Sequence, residues 1–341
     1  MKRWNTKWLS FLSCAVLCTG AVAETCVTQS RMDPQERAAL ANAAQALAIK
    51  VQSNDLKGLQ ASTIPEFVTN FSGIEKASSS AAPKLAGDTP QIEQIYVLDA
   101  TGNKPNPDGS AASAEFVCML NKGSSEADFS INSLPPGRYG FAMVQFEGPS
   151  PWLLSMLLRQ DGIGAPWKLA GLFPKEATAA GHDGLWYWSQ GRVMSASKQA
   201  WTAYIYYQQA QRLLQPAGFV SSTHLENLRV EASGAVPPEL ENGISADAPY
   251  IVKGTDGKEY RFTSISPDDS LNKDKLDIDA HMMLDSQSVN PTDAHKRNLD
   301  AMSALLAQHP ELRQSFHGMW VFSEAPGQLP VANEAAMSDI H

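Results

Sequence analysis

The sequence predicts an α+β protein, and three observations carry that prediction. Apolar residues recur at helical spacing from Leu40 to Val51, they alternate at strand spacing from Gln94 to Phe173, and both patterns return in reduced form after Tyr250. The expected architecture is a helix on a curved antiparallel sheet, then a helical hairpin, then a small C-terminal α+β unit. With 341 residues, 43% hydrophobic and 18% charged, the chain has the composition of ordinary folded proteins and room for two or three domains.

Residues 1–23 read as an export signal. Lys2, Arg3 and Lys7 precede an apolar stretch from Trp8 to Val22, and Ala21-Val22-Ala23 forms a small-x-small cleavage site before Glu24. Cleavage there removes three basic residues and no acid, taking the net charge from −9 to −12. An excess of acid without a Lys/Arg cluster argues against nucleic acid as a partner, and no apolar run beyond the signal is long enough to span a membrane. Of the four cysteines, Cys14 and Cys18 leave with the signal. Cys26 and Cys118 remain and are expected to form a disulfide in an oxidising compartment, periplasmic or extracellular.

In the mature chain, Asp33 caps a helix that begins at Pro34, and Leu40, Ala43, Ala44, Leu47, Ala48 and Val51 make its apolar face. Ser78 to Gly87 reads as a Ser/Ala/Pro/Gly-rich loop. Strands are expected over Gln94–Asp99, Ala114–Asn121, Asp128–Asn132, Arg138–Phe146, Trp152–Gln160 and Trp167–Phe173, with turns at Asn106–Gly109, Pro135–Gly137 and Asp161–Gly164. From Gly181 to Phe219 the pattern is helical, aromatic-rich and broken near Ser195–Lys198. Residues 221–249 read as a linker. The C-terminal unit, 250–341, is expected to hold strands at Tyr250–Gly254, Glu259–Ile265 and Lys275–Leu284, a helix over Thr292–Gln308, a closing strand at Met319–Phe322 and a frayed tail from Glu334.

Two resemblances sharpen this division. The opening helix ending in Asn54-Asp55-Leu56, with the closing hairpin from Trp152-Leu153-Leu154-Ser155-Met156-Leu157-Leu158 through Asp161-Gly162 to Trp167-Lys168-Leu169-Ala170-Gly171-Leu172, resembles the NTF2-like (SnoaL-like) superfamily over residues 34–175. The domain so implied, a cone at 24–176, would hold its pocket inside the curved sheet. Phe129 to Tyr139 is also similar to a hairpin of carboxypeptidase-regulatory-like sandwiches, a fold that leaves the opening helix unexplained. Gly191, Ala203, Tyr207, Ala210 and Pro216 stand at the spacing of one tetratricopeptide repeat within 177–220. As a whole the chain resembles secreted bacterial proteins.

Strand parity suggests a pocket lined by Tyr139, Phe141 and Met143, by Trp152, Leu154 and Met156, and by Trp167 and Leu169. These residues are apolar or aromatic. All seven histidines lie at or beyond His182, so the segment has no imidazole base, and Glu115, Asp128, Tyr96 and Tyr139 are its candidate acid and base groups. No catalytic, metal or cofactor motif is present. Asp277, Asp279 and His281 alternate on one strand face, a set chemically able to ligate a metal and equally the wet face of a half-buried strand. Trp186 and Trp188 are candidate partner-surface residues, or the aromatic weld of the hairpin to its neighbour. The expected function is exported, non-enzymatic binding of a small apolar ligand or an envelope protein. An NTF2-like isomerase or hydrolase and a purely structural module are the alternatives.

Overall fold

The structure, a computed structural model, describes residues 24–341 except 121, 122, 124, 256, 288 and 289, so the expected signal segment lies outside the described residues. It is an α+β fold whose sheets stay open among these residues.

A short strand, β1 (Thr25–Thr28), precedes α1 (Pro34–Gln52). As its sequence predicts, α1 is capped by Asp33, whose side chain accepts from the backbone N–H groups of Gln35 and Glu36. The short helices α2 (Leu56–Ala61) and α3 (Pro65–Val68) lead to α4 (Ser72–Leu85), which runs through the stretch expected to be a loop. The reason is visible in its small residues: Ser78, Ala81, Ala82 and Leu85 are buried at helical spacing, and Gln52 donates from Nε2 to the carbonyls of Leu85 and Asp88, holding the end of α4 against α1. Pro83 sits inside this helix and costs it one backbone hydrogen bond.

Five strands follow: β2 (Pro90–Asp99), β3 (Ala114–Leu120), β4 (Ser125–Ile131), β5 (Arg138–Phe146) and β6 (Trp152–Gln160). With β7 (Trp167–Glu176) they form two sheets. The larger has the order β1-β2-β5-β6-β7, antiparallel throughout. Its one face packs against α1 and α4 through Leu40, Leu47, Val51, Val97, Phe146, Leu154 and Met156. Helix and sheet touch closely at Gly140, where a Cβ would lie 2.5 Å from a Leu40 methyl. The opposite face is covered by β3 and β4, whose Phe116, Phe129 and Ile131 meet Tyr96, Leu98, Tyr139 and Phe141. The first unit is therefore helix, sheet, sheet. Cys26 and Cys118 are disulfide-bonded, Cα atoms 5.2 Å apart, tying β1 of one sheet to β3 of the other.

After the two-residue strands β8 (Thr178–Ala179) and β9 (His182–Asp183), α5 (Gly184–Ala196) and α6 (Ala200–Leu214) fold back on each other. A Cβ at Gly184 would meet Leu214 at 2.5 Å, and one at Gly191 would meet the Tyr207 ring at 3.2 Å. The expected linker is structured instead. β10 (Val220–Ser222) adds a third strand to β4, pairing Val220 with Phe129, and α7 (Thr223–Gly234), capped by the Ser222 hydroxyl, packs on α6.

The C-terminal sheet has the order of its sequence: β11 (Tyr250–Lys253), β12 (Glu259–Asp268), β13 (Asp277–Met283), β14 (Gly318–Glu324) and β15 (Val331–Ala336). β13 and β14 run parallel, joined by α8 (Pro291–Gln308) and α9 (Leu312–Ser315). The tail expected to fray is β15, followed by the buried Met337 and Ile340, because alternation in Val331–Ala336 uses residues too small to stand out. The hairpin belongs to this unit. Trp201, Tyr206 and Tyr207 share a core with Tyr250, Phe262, Met302 and Phe316, so the hairpin forms one apolar body with the C-terminal sheet, while Ala217 and Val220 belong to the core between the first unit's two sheets.

Candidate functional site

The eight residues expected to line one pocket lie on two faces of the larger sheet. Register sets Phe141 opposite Leu157 and Ala142 opposite Met156, so Phe141 and Met156 project to opposite sides. Leu154, Met156, Trp167 and Leu169 are buried against α1, where Trp152 also packs. Tyr139, Phe141 and Met143 face β3 and β4. Parity within each strand was legible; the phase of β5 relative to β6 was not, since both faces of both strands are apolar. On the α1 side Leu154, Met156 and Leu169 are fully buried.

Phe141 and Met143, but not Tyr139, border a groove of about 370 Å³ at the seam of the two units. Tyr96 of β2, Phe141 and Met143 of β5, Ala127 of β4 and Val220 of β10 line it from the sheets, and Leu185 and Trp188 of α5, Leu214, Pro216 and Leu225 line it from the helical segment. Its polar lining comes from Ser125, Glu126, Ser221, Ser222 and His224. A run of edge-to-face rings, Tyr96 to Phe129 to Phe141 to Phe219 to Phe173, with centroids 5.2 to 5.7 Å apart, stiffens the sheet wall.

Trp188 is 7% exposed, so it is a groove wall and not an outward platform. Its Nε1 donates to Glu231 at 2.8 Å, and the Arg192 guanidinium lies 4.5 Å from the ring centroid while bonding the same carboxylate through two nitrogens. That pair holds the Glu231 carboxyl below the usual carboxylate range. Trp186 points elsewhere. It stacks on His182 at 3.7 Å and borders a second cavity, of about 420 Å³, with Tyr187, Met194, Tyr206 and Lys275.

The candidate acid and base groups do not converge. Glu115 and Asp128 are on the outer face of β3 and β4, whereas Tyr96 and Tyr139 are on the inner one. Tyr139 donates its hydroxyl to the carbonyl of Pro135, and burial raises both phenols above their ordinary value. Asp277, Asp279 and His281 do share one side of β13, but Asp277 bonds His317 Nδ1 at 2.9 Å, and the two nitrogens of His281 face Glu324 (2.8 Å) and Asp279 (3.4 Å). Both imidazole nitrogens of His281 are thus directed at carboxylates. Among the described residues no group of three or more His, Cys, Asp or Glu is arranged to hold a metal ion, and no helix is long and apolar enough to cross a membrane.

The groove residues that sequence reasoning missed are Leu185, Leu214, Val220 and Leu225. They come from four elements, α5, α6, β10 and α7, the last of them hidden in the apparent linker, and the pairing of β10 with β4 brings them to the sheet. Compared with protein-family models, with curated proteins and with solved structures, the chain has no match.

Proposed function

We propose that this is an exported, non-enzymatic protein that binds a small apolar molecule in the groove between its two units. The observation that carries the reading is the composition of the groove: Phe141, Met143, Trp188, Val220 and Leu225 converge on a space of about 370 Å³, within the range of small-molecule sites, about 300–1,000 Å³. Leu185, 61% exposed at its edge, leaves apolar surface facing solvent. A lining with few polar side chains suits a ligand with a mainly apolar body. The carboxylate and the imidazole of the groove, Glu126 and His224, are both exposed to solvent, which favours binding over turnover. The disulfide is compatible with an exported protein. The order of a long helix followed by an antiparallel sheet supports an NTF2-like reading of the first unit, with the α1 side filled and binding moved to the seam. The close small-residue contacts of α5 and α6 support a tetratricopeptide-like hairpin.

Uptake of N-phenylnaphthylamine, followed by its fluorescence, tests the proposal. The parent is expected to bind it saturably at one site. Met143→Trp should fill the groove and abolish uptake with little change in melting temperature, whereas Met156→Trp, in the buried core, should overpack and cost about 1–3 kcal/mol. A parent that takes up no dye, or a Met143→Trp variant that binds as before, would leave the structural-module reading in its place.

A further inference from the structure

The C-terminal sheet has one face under α8 and one turned away from it. Met319, Val321 and Ser323 point to α8; Trp320, Phe322 and Glu324 point the other way. On that outer face Trp320 and Phe322 stack with ring centroids 5.8 Å apart, and His281, register partner of Phe322 on β13, extends the stack at 4.9 Å and 14°. The stack ends at Trp320. The next outer position on β14 is Gly318, which has no side chain, and the Asp277 carboxylate lies where its Cβ would be, at 2.9 Å.

Carboxylates surround this free end. Register places Asp279 of β13 on one side of Trp320 and Glu334 of β15 on the other. Asp279 is also a wall of a polar cavity of about 530 Å³, which β12 and β13 form with α6 and to which Asp268, Gln208 and Gln211 contribute. The cations nearby are engaged: Arg212 pairs with Asp269, Arg261 with Asp285, His317 with Asp277, and His281 with Glu324 at 2.8 Å and, from its other nitrogen, with Asp279 at 3.4 Å. The fully buried Asp277 keeps one oxygen, Oδ2, without a hydrogen-bond partner.

We propose that this face binds a basic, extended peptide segment, with an arginine guanidinium laid against Trp320 between Asp279 and Glu334. The planar cation matches both features, since it stacks on an indole and bonds carboxylates through paired N–H groups, whereas a lysine ammonium does only the second well. Charge complementarity selects the occupant: the protein carries a net −9, and on the outer face carboxylates flank the partly exposed Trp320 on both neighbouring strands. Burial and neighbouring acids push the Asp277 and Asp279 carboxyls up, and an incoming cation relieves that crowding.

The test is titration of the whole protein with hexa-arginine, hexa-lysine and a neutral chito-oligosaccharide at low and physiological salt. Hexa-arginine should bind, weaken as salt rises, and bind at least several-fold tighter than hexa-lysine. Asp279→Asn with Glu334→Gln, which keep shape and remove charge, should weaken hexa-arginine about tenfold or more, as should Trp320→Leu. Glu75→Gln with Glu93→Gln, equal in charge but in the first unit, should change it less than twofold. Equal losses from both acid pairs, no preference for arginine, or binding of the oligosaccharide in place of the peptide would overturn the proposal.

Discussion

The Nε2 atom of His309 lies 2.7 Å from the hydroxyl oxygen of Tyr250, and the same imidazole rests 4.5 Å from the indole of Trp201, centroid to centroid. One buried ring thus joins the end of α8, the first strand of the C-terminal sheet and the hairpin helix α6. Burial pushes its pKa down to about 4, against a small opposing effect of Glu239.

Stability should therefore fall in acid. A histidine near 6.5 when unfolded and about 4 when folded binds more protons in the unfolded chain between those values, so stability is complete above pH 6.5 and is lost as pH falls towards 4. The loss should be about 2 kcal/mol once solvent screening is allowed for. Urea midpoints at pH 7.5, 5.5 and 4.5 check this: His309→Gln should lower the first and flatten the series. A variant with the parent's slope would assign the acid sensitivity elsewhere.

The disulfide closes a segment of 92 positions. Its removal by Cys26→Ser with Cys118→Ser should cost roughly 4–5 kcal/mol on chain-entropy grounds, the upper end of what such links deliver. Denaturant midpoints with and without reductant measure it. Full alkylation of both thiols in native, oxidised protein would show the link absent.

A chain truncated near Lys175 should aggregate. It loses β10, leaving the β4 edge around Phe129 unpaired, and it loses Phe219, which stands between Phe141 and Phe173 in the aromatic run. Size-exclusion chromatography decides between this and a soluble monomer melting at the full-length temperature, which would mean the first unit needs nothing from the rest of the chain.

What could be read in advance followed contrast between neighbouring side chains. α1, with large apolar residues against charged ones, and β5 and β6, bounded by Pro-Gly and Asp-Gly turns, were legible to within a residue or two, whereas β7 runs three residues past its expected end at Phe173. α4 and β15 were not, because Ser, Ala and Gly carry little hydropathy difference even where Ala81 and Ser78 are wholly buried. The groove was half legible. Phe141 and Met143 were identified as pocket residues, but their true neighbours, Val220 and Leu225, are 79 and 84 positions beyond Phe141, and contacts at that distance leave no periodic mark.

The two units also meet through charge, and this gives the last prediction. Lys175, at the end of β7, donates to the carbonyls of Arg212 and Gln215 at 2.6 Å, while Arg212 reaches Asp269 at 2.9 Å. Burial and the nearby Arg212 push the Lys175 ammonium down to about 8. Next to it, burial and the adjacent Asp269 push the Glu176 carboxyl up to about 6, with Arg212 and Lys84 opposing. An acid whose folded pKa exceeds its unfolded one holds its proton more tightly when folded, so its contribution is favourable at low pH and is lost as pH rises from about 4.5 to 6. Glu176→Gln imitates the protonated form at every pH. It should leave stability unchanged near pH 4.5 and raise it by about 1 kcal/mol at pH 7.5, a figure reduced for the half-exposed position of the group. Urea melts of parent and variant at the two pH values are sufficient, and an equal difference at both would mean that Glu176 keeps its charge at the seam.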